Sequence, residues 1–140
     1  MFEEYLDFAV GMAREAGRIQ LSYFRGDDLA MKTKSNVSDV VTRADRESEE
    51  LIVRSILERY PTHAILGEEG GARGDAASEW RWVVDPLDGT TNYSQGLPVF
   101  CVSIALQYRG ETVVGVVYAP YLRELFTAVR GGGAWCRRGD

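Results

Sequence analysis

The chain is poor in cysteine, in histidine and in clustered basic charge. Its two cysteines, Cys101 and Cys136, cannot form a disulfide framework for a chain of 140 residues. Each lies in an apolar stretch, so each is expected to be a small buried hydrophobe in a reducing compartment. His63 is the only histidine. It follows Pro61 and has no partner motif, so no catalytic role is assigned to it. Sixteen Lys and Arg stand against 21 Asp and Glu, giving a formal net charge of −5. The basic residues are scattered, except for Arg130, Arg137 and Arg138, which read as a solvated edge. A nucleic-acid polymer is therefore not the expected partner, because a phosphate backbone must be met by clustered Lys and Arg. No stretch is long and apolar enough to span a membrane. The N-terminal Met-Phe-Glu-Glu-Tyr-Leu-Asp is acidic and has no apolar signal core. A cytoplasmic location is expected, and Asn92-Tyr93-Ser94 reads as a chance match to the glycosylation pattern. Internal repeats, low-complexity tracts and obvious linkers are also missing.

What remains is an ordinary globular balance, 45% hydrophobic and 26% charged, in a length that fits one domain. Residues 2–24 predict a helix, with Leu6, Ala9, Val10, Ala13 and Gly17 in one stripe at spacings of three and four. The small residues on that stripe predict close packing. A second helix is predicted to begin near Thr42, because Thr42-Arg-Ala-Asp45 has the spacing of a capping box. Leu51, Ile52 and Ile56 carry its apolar face, and Tyr60-Pro61 ends it. The rest reads as β. Short strands are expected at residues 64–66 and 80–84. Residues 100–108 alternate, with Phe100, Val102, Ile104, Leu106 and Tyr108 on one face. Strands at 112–118, 125–129 and 134–136 follow. Trp80 and Trp82 read as packing residues. Short turns between the later strands favour an antiparallel meander. Two helices followed by strands give an α+β fold: helices packed on a mainly antiparallel sheet, with an open last edge.

The segment Trp82-Val-Val-Asp85-Pro-Leu-Asp88-Gly-Thr90-Thr carries the chemistry. A buried strand exits the sheet at two carboxylates. Pro86 fixes one backbone dihedral, and Gly89 permits a geometry other residues resist. Two close carboxylates that both stay ionised need a compensating cation, and all-oxygen ligation suits a hard ion such as Mg²⁺. Backbone N–H groups at Gly89-Thr90-Thr91 could receive an anion. A second acidic pair, Glu68 and Glu69, follows the strand at 64–66. If both strand ends reach one rim, four carboxylates could hold two metals and activate water. The same letters also make an ordinary turn, since Asp and Gly favour turns. An EF-hand reading fails, because its third position would be Leu87 and its twelfth Gly96. Phosphatases with an aspartyl nucleophile space their aspartates by two rather than three and need a parallel sheet.

Trp82–Tyr93, continuing through Gly96-Leu-Pro98, closely resembles the signature of the inositol monophosphatase family. Asp39-Val-Val-Thr42-Arg-Ala-Asp45 resembles the family's segment at its second helix. Tyr60-Pro61 with Leu66-Gly67-Glu68-Glu69 resembles its metal-binding glutamate segment, and Gly115–Pro120 and Gly131–Ala134 resemble its following strands. The likeness covers nearly the whole chain. It implies the N-terminal part of a sugar-phosphatase (αβαβα) fold, with residues 1–140 as a metal-binding domain and a C-terminal domain absent. It implies hydrolysis of a small phosphomonoester, such as an inositol monophosphate, with at least two Mg²⁺ ions for which Mn²⁺ could substitute. Glu68, Asp85 and the backbone carbonyl of Leu87 would hold the first ion. Asp85 would bridge to a second, joined by Asp88. Thr90, oriented by Asp45, would help Glu68 hold and deprotonate the attacking water. The N–H groups of Gly89 and Thr90, with Asp88, would bind substrate, and Lys34 falls where the family often has a basic loop residue. A homodimer is expected.

One part of the family pattern is missing. The second half, with a Trp-Asp-x-Ala-type motif that completes the second metal site, has no match in this sequence. The alternative is therefore an inactive metal- and phosphate-binding fragment that needs a missing half or a partner chain. Either way, an exposed apolar surface is expected where that half would pack.

Overall fold

A computed structural model of the chain describes residues 1–25, 34–67 and 71–139. Helix α1 (Glu3–Tyr23) forms where the stripe predicts it and buries Ala9, Met12, Ala13, Ala16, Gly17 and Gln20. Glu3 and Glu4 in its first turn complement the helix dipole. Gly17 makes the predicted close approach: a Cβ there would stand 2.6 Å from Tyr118 Cε2 and 3.0 Å from Pro120 Cβ.

Helix α2 spans Lys34–Arg59, so it does not begin near Thr42 as the capping-box spacing predicts. Thr42 and Asp45 lie inside the helix. A spacing of three also places two residues on one helical face, and that is its use here. Ile52, Val53 and Ile56 are buried, and the helix ends before Pro61 as expected.

Among the described residues the strands are β1 (Ala64–Gly67), β2 (Gly71–Gly74), β3 (Trp80–Asp88), β4 (Cys101–Tyr108), β5 (Glu111–Ala119), β6 (Glu124–Val129) and β7 (Gly133–Arg138). A short helix, α3 (Thr90–Ser94), follows β3. The strands form one sheet in the order β2-β1-β3-β4-β5-β6-β7. β3 through β7 make the expected antiparallel meander. β1 and β3 instead run parallel. The architecture is α+β, with helices on a mostly antiparallel sheet.

One sheet face is the core. Trp82, Val84, Val102, Ile104, Leu106, Val114 and Val116 pack against Ala9, Met12, Ala13, Ala16, Ile52 and Ile56. This confirms the alternation read along β4 and the packing role of Trp82. His63 is buried in an aromatic cluster, stacked on Tyr60 and Trp80. A smaller cluster of Phe24, Ala44, Leu87, Tyr93 and Phe100 supports the C-terminal end of β3.

The opposite face is apolar and open among the described residues. Ala105, Gly115, Val117, Phe126 and Ala128 line it, with Val117 36% and Phe126 41% exposed. The apolar surface expected from the sequence is therefore present. All six residues of β7 are exposed. Cys136 is consequently exposed and Cys101 half-buried, which corrects the expectation that both cysteines are buried. The apolar stretch around Cys136 is an edge strand that nothing described covers. The basic residues here are solvated: Arg130 pairs with Glu111, and Arg138 with Glu124.

Candidate active site

The site begins with the parallel pair. Gly67 lies beside Val84 in the register of β1 and β3. Two parallel strands present their C-terminal ends at the same rim, so the chain leaves β1 toward Glu68 beside the point where β3 reaches Asp85. This meets the condition on which the four-carboxylate reading depends. Glu68 and Glu69 themselves, and the side chain of Lys34, lie outside the described residues.

The second element is a bulge. Asp85 pairs with Ser103 and Asp88 with Cys101, so three steps along β3 match two along β4. In a regular strand, residues three apart point to opposite faces. The extra residue cancels that alternation and bends the strand. Asp85 and Asp88 are thereby registered to Ser103 and Cys101, which share one face of β4. The Cys101 thiol donates to Asp88 Oδ2 at 3.9 Å. Its pKa is pushed up to about 11, first by burial and then by the charges of Asp88 and Asp85. One thiol thus senses both carboxylates. Between them, Pro86 and Leu87 are buried and anchor the turn.

Gly89 turns the chain into α3 with φ 93° and ψ 38°. A Cβ at Gly89 would meet Val99 O at 2.9 Å and Phe100 Cα at 3.2 Å, both backbone atoms. Only glycine fits that cradle. The Gly89 carbonyl accepts the Tyr93 N–H at 2.9 Å, and Asn92 Nδ2 donates to Val99 O at 2.9 Å. These bonds place Thr90 at the first position of α3, exposed.

The third element is the face of α2. Thr42, Asp45 and Glu49 stand at spacings of three and four and, with Thr90 and Arg73, line a cleft of about 520 Å³. Asp45 and Thr90 line the same cleft. Glu49 was not singled out from the sequence. It is 7% exposed, and its Oε1 lies 2.9 Å from where a Cβ of Gly67 would stand. The signal was available: Glu49 is one helical turn beyond Asp45, on the same face.

Hard oxygen donors that converge at a bent strand end suit a hard divalent cation. Among the described residues, no three His, Cys, Asp or Glu side chains converge closely enough to hold a metal. The donor chemistry fits the ion; Glu68, which the resemblance implies as a further carboxylate, lies outside those residues. The antiparallel meander also removes the aspartyl-nucleophile rival, which needs a parallel sheet.

The family model for the inositol monophosphatase family matches residues 1–139. The chain belongs to that family. It is 52% identical over 130 residues to the Nus factor SuhB of Pasteurella multocida, covering 92% of this chain and 48% of the relative. The solved inositol monophosphatase from Anabaena (Nostoc) sp. PCC 7120 superposes with TM-score 0.82 at 40% identity, covering 98% of this chain and 48% of that one. The extragenic suppressor protein suhB of Bartonella henselae superposes with TM-score 0.80 at 39% identity, covering 96% and 52%. The chain thus spans about half the length of these relatives. No described helix is long and apolar enough to cross a membrane.

Proposed function

We propose that the chain is the metal- and phosphate-binding part of a Mg²⁺-dependent hydrolase of small phosphomonoesters, with an inositol monophosphate as the model substrate. The observation that carries this reading is the β3 bulge, which sets Asp85 and Asp88 on one side beside the end of β1. Glu68, Asp85, Asp88 and the Leu87 carbonyl would hold two Mg²⁺ ions, or Mn²⁺ in their place. When bound, Mg²⁺ supplies charge neutralisation at the phosphate and acidifies water.

The chain's own residues do the rest. Gly89 and Thr90 N–H groups bind the phosphate oxygens where the chain turns from β3 into α3. The Thr90 hydroxyl, oriented by Asp45 across the cleft, holds the attacking water. Glu68 takes its proton, and the water enters in line with the leaving oxygen. In this reading residues 1–140 are one metal-binding domain, the protein is a cytoplasmic homodimer, and neither a nucleic-acid polymer nor a membrane is its partner.

The test is phosphate release from inositol 1-phosphate across a Mg²⁺ series. Thr90→Ala and Asp45→Asn should each lower kcat by about 10²-fold or more, the usual weight of positioned proton transfer. Release independent of Mg²⁺, or a phosphoryl group trapped on Asp85, contradicts the reading.

A second reading is a binding role without turnover. The name Nus factor carried by the relatives favours it. Tight Mg²⁺ or Mn²⁺ binding with no phosphate release would support it.

A further inference from the structure

Gln20 is fully buried in the last turn of α1, on a helix that contributes no residue to the site described above. Its Nε2 donates to the carbonyl of Pro86 at 2.6 Å and to Ser48 Oγ at 3.2 Å. Its own backbone carbonyl accepts the Tyr93 hydroxyl at 2.7 Å and the Phe24 N–H at 3.0 Å. One residue therefore ties α1, α2, the β3 bulge and α3 together.

The orientation of the amide is forced. A carbonyl can only accept, so the atom facing Pro86 O must be the nitrogen. This leaves Gln20 Oε1 buried and without a partner among the described residues. An apolar side chain would fill the helix stripe without that orphan, so packing alone does not explain an amide here. Pro86 O does explain it. Pro86 lies inside the bulge, between Asp85↔Ser103 and Asp88↔Cys101, and has no registered partner on β4. Its carbonyl needs a donor in a buried position, and Gln20 supplies it.

We propose that Gln20 is a positioning residue that pins the β3 bulge and so holds Asp85 and Asp88 on one face. The consequence for metal affinity rests on reading the two carboxylates as ligands; the consequence for the bulge does not. Without the donor, the buried carbonyl turns toward water, and the carboxylates on either side of it turn too.

Two measurements separate these consequences. The first is hydrogen–deuterium exchange in a peptide covering residues 83–89, compared with residues 102–106 of β4. The second is Mn²⁺ binding by electron paramagnetic resonance. Gln20→Met keeps the length and removes the donor. It should raise exchange at 83–89 at least tenfold, leave 102–106 unchanged and weaken Mn²⁺ binding at least tenfold. Ser48→Ala, which leaves the Pro86 bond in place, should match the unsubstituted chain in both. Unchanged exchange at 83–89 in Gln20→Met overturns the proposal whatever the metal does. If the unsubstituted chain binds no Mn²⁺, the ligand reading fails, and exchange still decides the role of Gln20. If Gln20→Met also unprotects β4, Gln20→Glu decides. Buried and protonated at pH 5, it donates an O–H to Pro86 and should keep the turn protected. A turn exposed in Gln20→Glu at pH 5, with β4 still protected, overturns the proposal.

Discussion

The indole N–H of Trp82 donates to Nδ1 of His63 at 3.0 Å. His63 is 5% exposed, and Trp82 is fully buried. The accepting Nδ1 fixes the imidazole as the neutral tautomer with its proton on Nε2. Tyr60 stacks on one side at 4.7 Å and 6°, and Trp80 lies nearly parallel at 5.5 Å and 12°. Burial holds the His63 pKa below its usual 6.5. Protonating Nδ1 would also leave the Trp82 N–H buried and unpaired, at a cost of about 1–3 kcal/mol.

The sign of the pH effect follows from that depression. Below about pH 6.5 the unfolded chain takes up a proton that folded His63 refuses. Stability is complete above that pH and falls as pH drops, until the folded ring is itself protonated. The melting temperature should decline between about pH 6.5 and 5. His63→Gln, which can still accept the Trp82 N–H, should flatten that decline. A melting temperature constant across this window in the unsubstituted chain contradicts the account.

Gly11 and Gly17 lie on one helix and should respond oppositely to alanine. Nothing lies within 4 Å of a Cβ at Gly11, whereas a Cβ at Gly17 runs into Tyr118 and Pro120. Helix propensity favours Ala over Gly by about 1 kcal/mol at either site. Gly11→Ala should therefore stabilise by about 0.5–1 kcal/mol. Gly17→Ala should destabilise, because overpacking costs about 1–3 kcal/mol. Urea unfolding of both variants checks the pair; the same sign at both positions would remove the close-approach argument.

Gly89→Ala should damage the site more than the fold. Its positive φ and the backbone atoms of Val99 and Phe100 leave no place for a methyl group. Strain of this kind costs about 1–3 kcal/mol. The core of α1 and α2 on β4 and β5 is remote from it and should stay cooperative. Far-UV circular dichroism unchanged at 25 °C, together with at least tenfold weaker Mn²⁺ binding, is the expected outcome. Wild-type Mn²⁺ affinity in this variant would mean that the turn tolerates the methyl group.

The fold was legible wherever periodicity was strong. The stripe of α1 and the alternation of β4 bury the residues their patterns select. β2 was not legible: Gly71-Ala72-Arg73-Gly74 has no apolar alternation, and all four residues are exposed. Its strand state comes from pairing with β1. The start of α2 was misread because a spacing of three serves a capping box and a helical face equally. Cys136 was misplaced because the apolar residues around it were read as burial, although they form the open last edge that the order of strands already indicated. At the site, Asp85 and Asp88 were legible as a turn with carboxylates. The bulge that puts them on one face was not, because a register shift belongs to two strands. Gln20 was invisible for the same reason: its partner, Pro86, is 66 residues away.

The most direct test of the central claim is calorimetric titration of Mg²⁺ into this chain and into Asp85→Asn. Asp75→Asn, in the exposed turn after β2, is the control. The account predicts measurable binding by the chain and by the Asp75 variant, and affinity at least tenfold weaker in Asp85→Asn. Equal affinity in all three would show that the bent end of β3 is a turn and not a metal site.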